Sequence, residues 1–96
     1  MEVRVPDTES DYGGAFLDPV TITRVRFERK EALNPSVYKL ADGSQGRIWI
    51  DAVNSEGAFE VPKGAKVQIG NASMQVIACE TYKVAGSVHH WEADVK

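Results

Sequence analysis

The chain has 96 residues, of which 43% are hydrophobic and 26% are charged, and its formal net charge is −3. This length allows one small domain with a thin core, to which the packing of several copies would add stability. A weakly acidic chain without a polybasic stripe does not favour a protein that binds nucleic acid mainly by neutralising phosphates.

The cysteine count and the length of the apolar runs indicate the cellular compartment of the protein. Cys79 is the one cysteine in the sequence, so no internal disulfide forms and a reducing compartment fits best. The start of the sequence is neither a signal sequence nor a transit peptide, and no apolar run approaches about 18 residues. We therefore expect a soluble, intracellular protein that does not contact a membrane.

The N-terminal segment differs from the rest of the chain in charge. Residues 1–18 contain five acidic residues and one basic residue, and Pro6 stops a brief alternation that indicates a short edge strand or a flexible arm. Residues 7–14 are acidic and rich in turn formers, as in a loop. We predict a single domain over residues 1–96, with an acidic N-terminal arm at 1–18 and a β core at 19–96.

The first strong strand signal covers residues 20–29, which are dense in β-branched side chains. The apolar positions change face between Ile22 and Val25, so we predict a β-bulge near Thr23 that bends the strand. Residues 28–34 have room for one helical turn before a proline ends it.

A predicted hairpin at the centre of the sequence organises the chain. Residues 37–40 alternate in part and lead into an Ala-Asp-Gly-Ser turn signal around Gly43. The run that starts at Arg47 then puts Ile48 and Ile50 on one face. A polar turn follows and returns the chain to the body of the domain.

The second half of the sequence predicts three more strands. Residues 65–69 and 73–80 alternate on either side of a turn at Gly70. A loop at residues 82–87 leads to a last strand at 88–95, whose regular alternation indicates one buried face.

These patterns predict a mainly β fold: a small antiparallel barrel or sandwich of five to six hairpin-linked strands, with at most a short helical turn. The alternating side chains expected to share its core are Ile48, Ile50, Val67, Ile69, Val76, Trp91 and Ala93. The glycines expected at its turns are Gly43, Gly57 and Gly70. At Gly57 the chain must reverse within a short polar turn, so we expect a positive φ there.

The residues that invite a chemical interpretation also have structural ones. In a regular strand the adjacent His89 and His90 point to opposite faces, so we expect structural histidines rather than ligands of one metal ion. Cys79 lies in an apolar strand without a histidine partner, which is typical of an inert thiol. The carboxylates near Asp51 have no positioned partner group and are expected to be solvated. We expect no enzyme, no catalytic residue, no metal ligand and no cofactor.

Trp49 is the most suggestive single residue, because it alternates with the predicted core and projects outward. It is expected either to be covered by residues 28–34 or to form a contact between subunits. The residues predicted as candidates for such an interface are Arg47, Trp49, Asp51, Asn54 and Glu56.

Four stretches of the sequence carry a resemblance to a known family. They are DPVTI at 18–22, YKLADGSQG at 38–46, IDAVNSEGAFEVPKG at 50–64 and HHWEADV at 89–95. These stretches resemble the minor capsid proteins of tailed phages and prophages of Gram-positive bacteria. Such proteins are similar to the small β-barrel head-completion proteins, or stoppers, that lie below the portal and its adaptor.

This resemblance implies a structural subunit that forms a ring, retains packaged DNA and docks the tail. The implied partners are portal, adaptor and tail proteins, other copies of the chain and, indirectly, packaged DNA. The implied location is the host cytoplasm during assembly and then the head–tail junction of the virion. In this role the loops at residues 7–14, 28–34 and 82–87 are expected to be mobile in the free subunit and ordered in the ring.

An alternative interpretation is a small β-barrel module that binds nucleic acid or a peptide. The residues that would carry this binding are Arg24, Arg26, Tyr38 and Trp49. Aromatic side chains stack on bases, and arginines contact phosphates, so binding that weakens steeply with salt would favour this class. A metal-dependent enzyme built on the two histidines is a third alternative, which metal analysis would test.

Overall fold

The computed structural model describes residues 1–8 and 15–96. In these residues, seven strands form one open antiparallel sheet that curls into a half-barrel. The strands are β1 (Glu2–Arg4), β2 (Val20–Thr21), β3 (Arg26–Arg29), β4 (Gly46–Asp51), β5 (Lys66–Ile69), β6 (Ala72–Val84) and β7 (Ser87–Val95). A 3-10 turn at Lys30–Ala32 follows β3. The prediction of a mainly β antiparallel fold with a short helical turn is confirmed, with seven strands where five to six were expected.

Strands β2 and β3 follow each other in the chain but lie at opposite ends of the sheet, whose order is β2-β1-β5-β6-β7-β4-β3. An extended residue spans at most about 3.6 Å, so the link from Thr21 to Arg26 holds the two ends of the sheet within about 18 Å of each other there. The sheet must therefore curl, and its inner face becomes the site of the core.

The predicted single strand at residues 20–29 is divided in two. Arg24 has a positive φ of 54°, a conformation that strand residues do not adopt, and it separates β2 from β3. The division lies where the apolar positions change face, between Ile22 and Val25. A bulge would have kept one strand, whereas this break sends the two halves to opposite edges of the sheet.

The predicted central hairpin is wrong in its pairing. Strand β4 pairs with β3 on one side and with β7 on the other, so neither edge of β4 is left for residues 37–40. Those residues have no regular structure. The predicted turn after them is present, because the Ser44 N–H donates to the Ala41 carbonyl at 3.0 Å and Gly43 has a φ of 85°.

The N-terminal strand β1 lies inside the sheet, between β2 and β5. Val3 is fully buried and opposes both Val20 of β2 and Val67 of β5. The alternation before Pro6 predicted a short edge strand or a flexible arm; the segment is a short strand, and it lies inside the sheet rather than at its edge. Residues 9–14 of the predicted acidic loop lie outside the described residues.

The predicted loop at residues 82–87 is wrong, because β6 continues to Val84 and β7 begins at Ser87. Ala85 and Gly86 join the two strands with φ values of 52° and 84°. Two successive positive φ values are what a type I′ hairpin turn requires. This part of the chain is therefore the tip of a long hairpin.

The core faces the inside of the half-barrel. The predicted core residues that are buried are Ile48, Ile50, Val67, Val76, Trp91 and Ala93. Ile69 is half-buried and packs against them. The buried apolar residues that the sequence analysis did not single out are Val3, Ile22, Leu33, Val61, Ala65 and Val95. Several of these lie in short or irregular segments, where alternation gives little signal.

We predict that Trp91→Ala lowers the free energy of unfolding by roughly 3–5 kcal/mol, because removing this large buried ring leaves a cavity. Urea denaturation measures the change, with the fluorescence of the remaining Trp49 as the probe. Val84→Ala is the control: Val84 is 62% exposed at the hairpin tip, and its change should stay below about 0.5 kcal/mol. An unchanged midpoint for Trp91→Ala would contradict the buried position.

Gly57 combines a positive φ with a close approach of the backbone. Its φ is 79°, and a Cβ added there would lie 2.7 Å from the Thr21 carbonyl oxygen. At Gly43 the φ is similar, but an added Cβ would meet nothing within 4 Å. The two positions therefore separate conformational strain from a steric clash.

We predict that Gly43→Ala costs about 1 kcal/mol of stability and that Gly57→Ala costs about 2 kcal/mol or more. The difference arises because only the second substitution pushes the turn away from β2. Thermal or urea denaturation of the two variants provides the comparison. Equal losses would mean that the contact with Thr21 relaxes without cost.

Candidate functional site

The outer face of the sheet carries a cluster of polar and aromatic side chains. In β4 the side chains of Ile48 and Ile50 are buried inside, and those between them point outward. Residues opposite each other in antiparallel strands share a face, so the register adds side chains from β3, β6 and β7. Tyr38, from the irregular segment before β4, joins them by packing against Trp49. We name this set the outer-face cluster; its members are Arg26, Tyr38, Arg47, Trp49, Tyr82, His90, Glu92 and Asp94.

Arg47 lies between two carboxylates of β7. Its Nε atom is 2.6 Å from Asp94 Oδ1, and its Nη1 atom is 2.8 Å from Glu92 Oε1. The three side chains are only 12%, 8% and 13% exposed, respectively. The hydrogen bond with Asp94 is the main reason that the pKa of Arg47 is raised above its ordinary value. This ion pair is therefore partly buried and permanently charged on the arginine side.

The same ion pair holds an irregular segment against the sheet. Arg47 Nη2 donates to the Lys39 carbonyl at 2.9 Å, and Asp94 Oδ2 accepts the Ala41 N–H at 2.8 Å. Arg47 was predicted as a candidate for a contact between subunits. In the structure its donors are engaged within the subunit, and the segment around Lys39 depends on them.

Trp49 is half-buried on the outer face. The Arg26 guanidinium lies 5.0 Å from its ring centroid, and the Tyr38 ring packs edge-on with centroids 5.9 Å apart. The residues in contact with the ring thus come from β3 and from the irregular segment. A cation over one face of the indole leaves less of the ring for a partner.

Asp51 forms the turn after β4. Its Oδ1 atom accepts the N–H groups of Asn54 at 2.9 Å and Val53 at 2.7 Å. These hydrogen bonds, first that from Asn54, hold the pKa of Asp51 below its ordinary value. Ser55 Oγ accepts the Asp51 N–H at 3.0 Å and donates to the Arg24 carbonyl at 3.1 Å. Asp51 therefore positions the turn, whatever further role it has at an interface.

Asn54 and Glu56 are the exposed members of the predicted interface set. The Glu56 carbonyl accepts the Thr23 N–H, and the Glu56 N–H donates to Thr23 Oγ1, both at 3.0 Å. The backbone of this turn is thus fixed beside β2, and it presents the two side chains to solvent.

The prediction that His89 and His90 point to opposite faces is wrong. The register of β6 and β7 shifts after Tyr82, which leaves His89 as the extra residue of a β-bulge. The bulge brings the two Nδ1 atoms to 2.9 Å. The His90 ring also stacks on Tyr82 with centroids 4.7 Å apart, and its Nε2 atom is 2.7 Å from Glu92 Oε2.

Cys79 is half-buried in β6. Burial raises the pKa of its thiol to about 11. A thiol with so high a pKa stays protonated at neutral pH and is a weak nucleophile. This agrees with the expectation of an inert thiol.

An apolar groove of about 590 Å³ runs beside the edge strand β2. Its apolar lining residues are Val5, Leu17, Val20 and Phe59. Leu17 and Val20 are 50% and 45% exposed. The groove is therefore an apolar surface that is partly open to solvent.

Comparison of the chain with protein-family models, with curated proteins and with solved structures found no match. Within residues 1–8 and 15–96, no helix is long and apolar enough to cross a membrane. In the same part of the chain, no group of three or more His, Cys, Asp or Glu side chains is arranged to hold a metal ion. Function must therefore be argued from the residues and their geometry.

No core, interface or ligand role was predicted for Tyr82, Glu92 or Asp94. A signal for the two acids was present, because they alternate with apolar residues on β7 as Arg47 does on β4. Opposite charges on neighbouring strands pair when the register aligns them. The register joins residues 47 positions apart in the sequence, and neither strand specifies it alone.

We predict that Arg47→Met lowers the free energy of unfolding by about 2–3 kcal/mol, since two largely buried carboxylates lose their cation. Hydrogen exchange should also speed up at the Ala41 N–H, because its acceptor Asp94 is no longer held in place by Arg47. The matched control is Arg4→Met: Arg4 is 52% exposed and 3.8 Å from Glu2, and its loss should cost less than about 0.5 kcal/mol. Similar small losses in both variants would contradict the role assigned to Arg47.

Proposed function

We propose that this chain is a structural subunit of a phage or prophage head–tail connector, of the head-completion or stopper type. Copies of the chain form a ring below the portal, retain packaged DNA and dock the tail. The other partners are the portal, adaptor and tail proteins. The observation that carries the proposal is the apolar groove beside the β2 edge of the half-barrel.

This groove has the properties of a surface for a neighbouring subunit. Among the described strands, β2 pairs with β1 alone, and the turn at Glu56 and Gly57 lies along part of its second edge. The apolar side chains of Leu17 and Val20 beside that edge lose exposed surface when another chain covers them. A contact between two different surfaces of identical subunits closes into a ring when the rotation between them allows it.

The predicted interface residues divide into two groups, and one of them lies beside this groove. Asn54 and Glu56 extend from the turn that is bonded to Thr23, and Gly57 of the same turn lines the groove. This turn belongs to the stretch at 50–64, which is one of the two most specific pieces of the family resemblance. Arg47, Trp49 and Asp51 lie on the outer face and are engaged within the subunit. We therefore assign the subunit contact to Asn54, Glu56 and the groove.

The small-barrel binding module is the alternative, and one observation favours it. Arg26, Tyr38 and Trp49 do form one cluster, and Arg24 lines a depression shared with Arg26 and Trp49. A base that stacks on Trp49 must, however, displace the Arg26 guanidinium from the ring. Arg26 is in turn 3.2 Å from Glu28, which reduces its attraction for phosphate. The connector role has the better support.

We predict that particles made without this protein package DNA and then lose it. The test uses a phage, or an induced prophage, in which the gene for this chain carries a nonsense mutation. Electron microscopy should find DNA-empty heads beside unattached tails. Particles that keep their genomes and join tails normally would refute the connector role and favour the binding module.

Complementation tests the groove within the same system. Val20→Glu places a charge in the groove, and it should fail to restore DNA-filled, tailed particles. Val84→Glu is the matched control, because Val84 is an exposed valine at the hairpin tip and is not among the described residues that line the groove, and it should restore them. Circular dichroism checks that both variants fold. Restoration by both variants would show that the groove is not the subunit contact.

Flanking genes provide an independent test of the assignment. Portal and major capsid genes upstream and tail genes downstream are expected. A gene for this chain that lies among metabolic genes would count against a virion role.

A further inference from the structure

The two histidines of the chain meet at the β-bulge, where neighbouring side chains hold the ring of His90. His89 and His90 are the only histidines in the sequence. Their Nδ1 atoms are 2.9 Å apart. The His90 ring is held on one face by Tyr82, with 2° between the ring planes, and at its edge by Glu92.

Glu92 determines which ring nitrogen of His90 carries the hydrogen. An ionised carboxylate only accepts hydrogen bonds, so His90 Nε2, 2.7 Å from Glu92 Oε2, must carry the hydrogen. A neutral His90 then has its lone pair on Nδ1, directed at His89. Glu92 is itself fixed, since its Oε1 atom is 2.8 Å from Arg47 Nη1. A histidine held by a carboxylate through its second nitrogen is the usual arrangement of metal-binding histidines.

We propose that His89 Nδ1 and His90 Nδ1 together bind one divalent transition-metal ion, and that Glu92 positions His90 for this role. The metal takes the position of the hydrogen on His89 Nδ1, and that hydrogen moves to Nε2 of the same ring. A neutral His89 then carries its one hydrogen on Nε2, so neither ring has to become an anion. This site is independent of the proposed connector function.

The distance between the nitrogens is compatible with coordination of one ion at a right angle. With metal–nitrogen bonds of about 2.05 Å, two ligands at a right angle lie about 2.9 Å apart, whereas two tetrahedral ligands lie about 3.4 Å apart. The observed separation of 2.9 Å is also an ordinary hydrogen-bond length, so it permits the right angle without requiring it. Right angles occur in the square-planar and octahedral coordination of Cu²⁺ and Ni²⁺, while Zn²⁺ prefers a tetrahedron. We therefore expect affinity to decrease from Cu²⁺ to Ni²⁺ to Zn²⁺.

The surroundings of the rings contain charges of both signs. Asp51, which lines the same depression, interacts favourably with a positive charge at His89. Arg24 and Arg26 line that depression too and oppose a cation, although Arg26 is 3.2 Å from the Glu28 carboxylate. The described residues offer no third ligand in a suitable arrangement. Water or a ligand from another molecule must complete the coordination.

The test is a titration of the folded chain, without a histidine tag, with Cu²⁺, Ni²⁺ and Zn²⁺ salts. Calorimetry should give one Cu²⁺ per chain, bound more tightly than Ni²⁺ or Zn²⁺. The electron paramagnetic resonance spectrum of the Cu²⁺ complex should have hyperfine structure from two nitrogens. His89→Gln and His90→Gln should each lower the Cu²⁺ affinity by about 10-fold or more.

Matched variants separate the positioning role of Glu92 from general effects of charge. Glu92→Gln should lower the affinity by about 10-fold and keep the two-nitrogen spectrum. Glu80→Gln is the control, because Glu80 lies opposite Glu92 in the sheet but bonds to the Tyr82 hydroxyl instead. It should leave the affinity nearly unchanged. Near-ultraviolet circular dichroism checks the fold of each variant.

Several results would overturn the proposal. Absence of Cu²⁺ binding would mean that the contact between the rings is a hydrogen bond only. Binding that survives both histidine substitutions, or that is lost in Cys79→Ser, would place the ion elsewhere. A spectrum with one nitrogen would exclude joint coordination by the two rings.

Discussion

The fold depends on the short connection between β2 and β3. Thr21 and Arg26 belong to opposite ends of the sheet, and the residues between them cannot span more than about 18 Å. A flat sheet of seven strands is incompatible with this connection, so the sheet curls and Ile22 enters the core. The connection is anchored by the hydrogen bonds between Thr23 and the backbone of Glu56. The turn after β4 therefore stabilises the curl as well as reversing the chain.

The curl gives the two faces of the sheet different chemistry. Apolar side chains converge inside, whereas outward-facing side chains diverge and need a separate cover to become buried. Asp94 points outward yet is only 6% exposed, because the segment around Lys39 and Ala41 lies over it. The Lys39 carbonyl and the Ala41 N–H of that segment have no strand partner among the described residues, and they bond instead to Arg47 and Asp94 of the ion pair. The ion pair thus acts as the attachment point of a second layer on the outer face.

Local patterns predicted more of the fold than of the pairing. Alternation identified the β class and the outward position of Trp49, because both follow from the period of a strand. The hairpin at residues 37–40 was wrong because β4 takes partners from β3 and β7, which a local pattern does not contain. The positive φ of Arg24 has no sequence signal, since residues with a Cβ adopt it only when the surroundings impose it. The ion pair of Arg47 was missed for the same reason as the hairpin.

One extra residue on β7 determines what the two histidines can do. In a regular strand the thickness of the sheet would separate their rings. His90 is the first β7 residue in chain order that pairs with β4, opposite Asp51; among the described strands, the β7 residues before it pair with β6 alone. A bulge is tolerated at that point because only one neighbouring strand has to adjust to it. The Ala52 N–H still donates to the His89 carbonyl at 3.0 Å, so the bulge is fixed rather than loose. A slip of register that removed the bulge would return the rings to opposite faces, so their chemistry depends on strand pairing as much as on residue identity.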